Sequence, residues 1–266
     1  MEKKDKIVVV TGASSGIGKE IANLYLNNGY TVFGIGQREL NDVAFHYYKV
    51  NVCNLNECES FINEIITNHG KIDILINNAG MGISAPVEFT NMQDAKRLFD
   101  VNFFGSVNMA KCVLPYMREN NSGHIINVSS VASFVPIPFQ IFYSSSKAAL
   151  DTFASGLRSE LKGYNVQITN VHPGDVKTGF TASRKKELLE DSNPYAKNYN
   201  SAVGHMEHDE QNGMSPVKVA KKIYKLSFKK HTRATNVIGG KYKVMCALLK
   251  VFTPKTREAI VRKFYY

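Results

Sequence analysis

Three glycines between a β-branched run and an apolar-periodic run constrain this chain more than any other feature. Ile7-Val8-Val9-Val10-Thr11 reads as a strand, and Gly12-Ala13-Ser14-Ser15-Gly16-Ile17-Gly18 follows at once. Ile17, Ile21 and Leu24 then recur at spacings of four and three, the stripe of a helix laid against a sheet. Glycine is needed where a chain turns sharply and where backbone must approach a pyrophosphate or a neighbouring strand. Free N–H groups at the helix start, together with the helix dipole, favour negative charge there. The segment therefore predicts a strand–turn–helix unit able to hold phosphates.

The alternation continues. Strands are expected near 7–11, 31–35, 46–50, 72–76, 124–128, 166–171 and 235–238. A helix is expected after Asn56, with Phe61, Ile62, Ile65 and Ile66 inward. Another opens at Ser215-Pro216, a cap and a favoured first-turn proline, with Val219, Ile223 and Leu226 on its apolar face. Strand–helix–strand units of this length imply an α/β fold on a parallel sheet. The stretch 180–213 is polar and weakly periodic, too long for a passive link, and is read as a mobile or functional loop. Within it, His205-Met206-Glu207-His208 reads as solvated rather than as a metal pair, and no metal is expected.

The 266 residues suffice for one large domain, and 44% hydrophobic with 21% charged residues exclude a disordered chain. No apolar run approaches the roughly 18–20 residues that span a bilayer. The opening Met1-Glu2-Lys3-Lys4-Asp5-Lys6 has no apolar leader, so a cytoplasmic location is expected, with reduced cysteines (Cys53, Cys58, Cys112, Cys246). The net charge of +10 is unevenly placed: residues 1–182 carry 15 basic and 16 acidic groups, residues 183–266 carry 18 and 7. From Lys218 onward Glu258 is the single acid among 14 basic residues. Basicity confined to one end, without an aromatic reading platform, argues against a nucleic-acid partner.

The spacing Gly-x3-Gly-x-Gly departs from the common dinucleotide fingerprint, and further motifs stand in order behind it. Asn77-Asn78-Ala79-Gly80, then Ser130, then Tyr143-Ser144-Ser145-Ser146-Lys147 follow Thr11–Gly18. Together they resemble the short-chain dehydrogenase/reductase family over about residues 5–240. The resemblance implies a doubly wound seven-stranded Rossmann sheet of order 3-2-1-4-5-6-7, with helices on both faces and a bound nicotinamide dinucleotide. It also implies a homodimer or homotetramer.

The cofactor would lie against Gly12, Ser14, Ser15, Gly16, Ile17, Gly18, Asn78, Ala79 and Gly80. The end of the second strand is Gly36, followed by Gln37 and Arg38, so no carboxylate is there to repel a 2′-phosphate. Arg38 could pair with one, which favours NADP, with NAD as the alternative. Asn51-Val52 stands where the family often has Asp-Val against adenine, and Asn51 could still bond the adenine amino group. Pro173, Gly174, Val176 and Thr178 match the family segment that closes over the nicotinamide.

Tyr143 and Lys147 are four apart, on one face of a helix. A free tyrosine titrates near ~10, and a neighbouring ammonium would favour its phenolate and let it exchange protons near neutrality. The resemblance makes Tyr143 the acid–base group, Lys147 its partner and a ribose ligand, Ser130 the group polarising the carbonyl, and Asn102 the holder of a relay water. The function expected is hydride transfer between NADP(H) and a ketone or secondary alcohol. The alternative is a non-catalytic dinucleotide-binding scaffold or redox sensor on the same fold.

Met81, Ser130, Phe134, Phe139 and Phe180 are expected to line the substrate cleft, and their apolar character points to a steroid-, retinoid- or lipid-like substrate. A catalytic domain over 1–240 and a basic amphipathic extension over 241–266 are expected. That extension mixes Val244, Met245, Leu248 and Leu249 with lysines and arginines, so it could cap the cleft or a subunit interface, or touch an anionic membrane surface.

Overall fold

The computed structural model describes residues 6–229, 232–249 and 251–265. The opening Met1 to Asp5, and Lys250 and Tyr266 of the expected extension, lie outside the described residues. Seven parallel strands make one sheet: β1 (Ile7–Thr11), β2 (Thr31–Gly36), β3 (His46–Lys49), β4 (Ile74–Asn77), β6 (Gly123–Val128), β7 (Val166–Pro173) and β9 (Thr235–Ile238). Two further strands, β5 (Ile83–Ser84) and β8 (Lys185–Lys186), pair with each other beside it. The order β3-β2-β1-β4-β6-β7-β9 is the expected 3-2-1-4-5-6-7 once the small pair is set aside.

Both faces of the sheet are buried, as a parallel sheet requires. Successive side chains of β1 point to opposite sides. Val9 joins Phe33, Leu75, Ile125 and Ile168 under α2 (Leu55–His69), α4 (Gly105–Glu119) and α5 (Ile141–Glu160). Val8 and Val10 join Val32, Ile76 and Ile126 under α1 (Gly16–Leu26) and α8 (Pro216–Ser227). Ile76 has no exposure, and cutting it to alanine costs about 2–5 kcal/mol. Because the strand order reverses between β1 and β4, their C-terminal ends open a crevice, the usual ligand position in such sheets.

The helix boundaries follow local chemistry. Ser215 caps α8 by accepting from the Lys218 N–H, as its sequence predicts. The cap of α2 is Asn54 rather than Asn56: its side chain accepts from the Asn56 and Glu57 N–H groups, so the helix starts two residues early. The polar stretch 180–213 is largely regular. It holds α6 (Phe180–Ser183), β8 and the 16-residue α7 (Ala196–Gln211). Tyr199, Ala202, Val203 and Met206 bury one stripe of α7 against Phe139. Met206 is therefore core and not solvated, while His205 and His208 are exposed and Glu207 pairs with Lys186 at 2.8 Å. The extension forms α9 (Gly240–Leu249) and α10 (Pro254–Tyr265); α3 (Met92–Phe99) completes the helices.

Candidate active site

The crevice at the strand ends is lined by the first glycine turn, the Asn78–Met81 segment, Ser129–Val131, Tyr143, Lys147 and Pro173–Gly179. Gly12 has φ +64, and a Cβ there would stand 2.9 Å from the Ala79 Cα. A Cβ on Gly18 would run into the Gly12 carbonyl and the Asn78 amide. Thr11 ties the two loops together, its hydroxyl accepting from the Asn78 and Ala79 N–H groups at 2.9 Å each. Ser14, Ser15, Gly16, Ile17, Arg38, Val52, Gly80, Val176 and Thr178 border the same crevice. The cradle is shaped for a ligand laid close along backbone, and its donors suit a dinucleotide pyrophosphate.

Asn51 departs from expectation. Its side-chain oxygen already accepts from Gln37 Nε2 at 2.9 Å and from the Cys53 N–H at 3.1 Å. It borders a neighbouring recess with Glu57 and Arg97, so that oxygen is committed and does not face the crevice to take an adenine amino group.

Four side chains converge at the inner end. α5 carries Tyr143 and Lys147 on one face, with the Lys147 Nζ 5.8 Å from the Tyr143 ring centre and donating to the Val128 carbonyl at 2.9 Å. Burial pushes Lys147 down to about 8, against the Asp151 charge, which raises it. Burial likewise raises Tyr143, opposed by a hydrogen bond from Ser130. Ser130 lies two residues past β6 and caps the short turn Val131–Ser133, its hydroxyl accepting from the Ala132 N–H at 3.1 Å.

Asn102 sits, wholly buried, in a π-helical turn (Asp100–Phe104) between α3 and α4, a form of local distortion that recurs at functional sites. Its side chain accepts from the Met81 N–H at 2.8 Å and donates to Ser146 Oγ at 3.1 Å, which itself donates to the Tyr143 carbonyl at 2.7 Å. One asparagine thus joins the Gly80 turn to α5.

Of the expected substrate residues, Met81, Ser130 and Phe180 line the crevice, and Phe180 packs 5.8 Å from the Tyr143 ring. Phe134 and Phe139 do not. The 131–140 segment turns Ile137 and Gln140 to the crevice and these two rings to its other side. Phe139, at φ 61, packs on Tyr199, and Phe134 lies 4.5 Å from the His172 ring. There they wall a second, more apolar groove of about 940 Å³ with Val87, Ile141, Leu249 and Val261, and Arg257 and Arg262 at its edge.

Residues not anticipated are Asp175, Arg184 and Glu210. Glu210 on α7 and Asp175 border the crevice. Arg184 is 3% exposed, pairs with Glu210 and stacks on Phe180. Their long sequence separation from Tyr143 hid them. The Tyr242 hydroxyl donates to Asp175, and its ring fills the space a side chain on Gly174 would need. The expected break at residue 240 is therefore spanned by packing: α9 rests on the segment expected to close over the cofactor.

The model of the short chain dehydrogenase family matches residues 6–189. A 3-ketodihydrosphingosine reductase of Bacteroides thetaiotaomicron is 34% identical over 98% of both chains. A serine dehydrogenase solved in its closed form with NADP+ superposes with a TM-score of 0.74 at 30% identity, over 87% of this chain and 94% of that one. A short-chain dehydrogenase from Streptomyces avermitilis gives a TM-score of 0.83 at 24% identity over 99% and 97%, a likeness of fold.

Proposed function

The chain belongs to the short-chain dehydrogenase family, as an NAD(P)-dependent oxidoreductase, and on that premise we propose that it reduces a long-chain, lipid-like ketone with NADPH. The observation that carries the substrate class is the apolar part of the crevice lining, where Met81, Ile137 and Phe180 stand beside Ser130 and Tyr143. A chain lying there would exchange water for these side chains, at roughly 0.8 kcal/mol per buried methylene. The sphingoid name of the Bacteroides relative supports the same class.

NADP is proposed over NAD because the end of β2 offers Gly36, Gln37 and an exposed Arg38. The nearest acid, Glu39, is engaged with Lys49 at 2.9 Å. When bound, the dinucleotide supplies the hydride. Ser130 would donate to the substrate oxygen, Tyr143 would give it the proton, and Lys147 would hold the phenol poised and bond the ribose. Asn102 would keep the relay geometry through Ser146. Phe104, half-exposed beside Phe103 with Phe153 behind, offers α4 and α5 a face for a second copy.

The test is initial rates with NADPH and NADH over a ketone series of increasing chain length. NADPH should be preferred at least tenfold, and kcat/KM should rise up to about fourfold per methylene before levelling. Turnover of sugars or small polar acids alone would refute the substrate class; equal use of NADH would refute the cofactor preference.

A further inference from the structure

Tyr143, Lys147 and Asp151 follow one another at intervals of four on α5, so the acid lies one helical turn beyond the lysine on the same face. Asp151 does not border the crevice. Yet its carboxylate is held by two buried partners. His172 Nε2 stands 2.9 and 3.0 Å from its two oxygens, and Asn170 Nδ2 donates at 2.8 Å. The hydroxyls of Ser129 and Ser133, which flank Ser130, donate to the Lys147 and Ser130 carbonyls at 3.4 and 2.8 Å.

Asn170 is itself the end of a buried row. Asn77, Asn127 and Asn170 stand directly opposite one another on β4, β6 and β7. Asn77 Nδ2 donates to Asn127 Oδ1 at 3.0 Å, and Asn127 Nδ2 donates to Asn170 Oδ1 at 2.9 Å. All three are 4% exposed or less. Every amide dipole in the row points its positive end toward Asp151. Aligned hydrogen bonds polarise one another, most strongly where water is excluded. The row ends on Asp151, one helical turn from Lys147, whose charge favours the ammonium.

We propose that Asp151 is a positioning residue of the catalytic group: the amide row and His172 fix its partly buried carboxylate as the counter-charge of Lys147. Through His172 the same carboxylate sets the start of the Pro173–Gly174 segment. The inference rests on the reading of Tyr143 and Lys147 as catalytic.

The energetics agree. Burial works to raise Asp151, but His172 beside it outweighs that and holds the group below the ordinary carboxylate value. A buried ammonium without a nearby negative charge gives up its proton more readily. The charges facing the group are few. His172 comes from β7, Asp175 lies just past its end, and Glu210 from α7 and Arg184 after α6 act on Tyr143.

The experiment is kcat/KM against pH, from 6 to 10, for wild type, Asp151→Asn and Asp151→Glu, with NADPH affinity measured alongside. Asp151→Asn keeps an acceptor for Asn170 and removes the charge. Its alkaline limb, which belongs to the Tyr143–Lys147 pair jointly, should move at least one pH unit toward neutrality. The ratio of activity at pH 9 to that at pH 6.5 should fall about tenfold, and Asp151→Glu should restore most of it. Should Asp151→Asn fail to fold, Asp151→Ser, which can retain water, carries the same expectation. Loss by one common factor at every pH would leave Asp151 a mere brace and overturn the proposal, as would an unmoved limb. A Tyr143→Phe enzyme with undiminished turnover would instead overturn the catalytic assignment beneath it.

Discussion

The floor of the crevice and its roof are built differently. The floor is the strand ends of β1, β4, β6 and β7 with α5, and its polar groups are buried and bonded to one another in rows. The roof is α6 and α7, continued by α9 and α10 over the neighbouring groove. Two of the ion pairs that anchor it, Lys185–Asp94 and Lys186–Glu207, have lysines about half exposed. Such pairs contribute about 0–1 kcal/mol, whereas a buried row broken at one member costs several times that. Chemistry is thus assigned to the stiff part and substrate choice to the part that can change without unfolding the rest.

Tyr143→Phe tests the floor most severely. It removes a single hydroxyl from a ring held between Phe180 and Lys147. Turnover should fall about 10²–10⁴-fold with NADPH affinity kept within a few-fold, measured by steady-state rates and fluorescence titration. A loss of less than tenfold would take Tyr143 out of the proton step.

The sheet beneath the floor should also be the acid-sensitive part. His124, 4% exposed, bonds Thr169 at 2.8 Å, and burial drives it down to about 4 from an ordinary 6.5. Between those values the unfolded chain takes up a proton that the folded chain refuses, so stability falls as pH drops through that window. The loss should reach about 3 kcal/mol at pH 4, at 1.36 kcal/mol for each unit. Urea unfolding at pH 7 and pH 4.5 measures it, and His124→Gln should flatten the dependence.

How far each region could be read in advance follows from the same difference. Residues of the floor sit within a few positions of a turn or on one helix face, so Gly12, Gly18, Ser130, Tyr143 and Lys147 are fixed by short-range spacing. Strand–helix alternation gives the parallel sheet, while its strand order came with the family resemblance. The roof depends on contacts far apart in sequence. Arg184 meets Glu210 across 26 positions, and Tyr242 meets Asp175 across 67. The stripe of α7 was diluted by the lysines, asparagines and histidines around it, so a helix passed for a loop. Phe134 and Phe139 were assigned to the cleft by nearness in sequence, but the segment bearing them has two faces. The amide row was invisible because cross-strand partners carry no mark in one dimension.

A smaller change probes the glycine turn without touching the proton chemistry. Gly18→Ala would press a methyl group on the Gly12 carbonyl and the Asn78 amide, so the turn must open. Overpacking of this kind costs about 1–3 kcal/mol. We expect NADPH affinity to weaken about tenfold, with kcat at saturating cofactor within a few-fold of wild type. A variant that bound NADPH normally would show that the close approach of the two loops is not needed for the cofactor.

The smallest effect belongs to the roof and asks what its charge is for. Excess basicity is confined to the last part of the chain, and Arg262 stands at the rim of the apolar groove on α10, beyond every residue assigned to chemistry. Among the described residues no helix is long and apolar enough to cross a membrane. A charge at an anionic lipid surface contributes about 1 kcal/mol, within a Debye length of it. If α10 meets such a surface to collect a lipid substrate, Arg262→Gln should weaken binding to anionic vesicles about fivefold at low salt. Its turnover of a water-soluble short ketone should not change. Vesicle binding equal to wild type would confine the basic helix to covering the groove, and the substrate would then have to arrive through water.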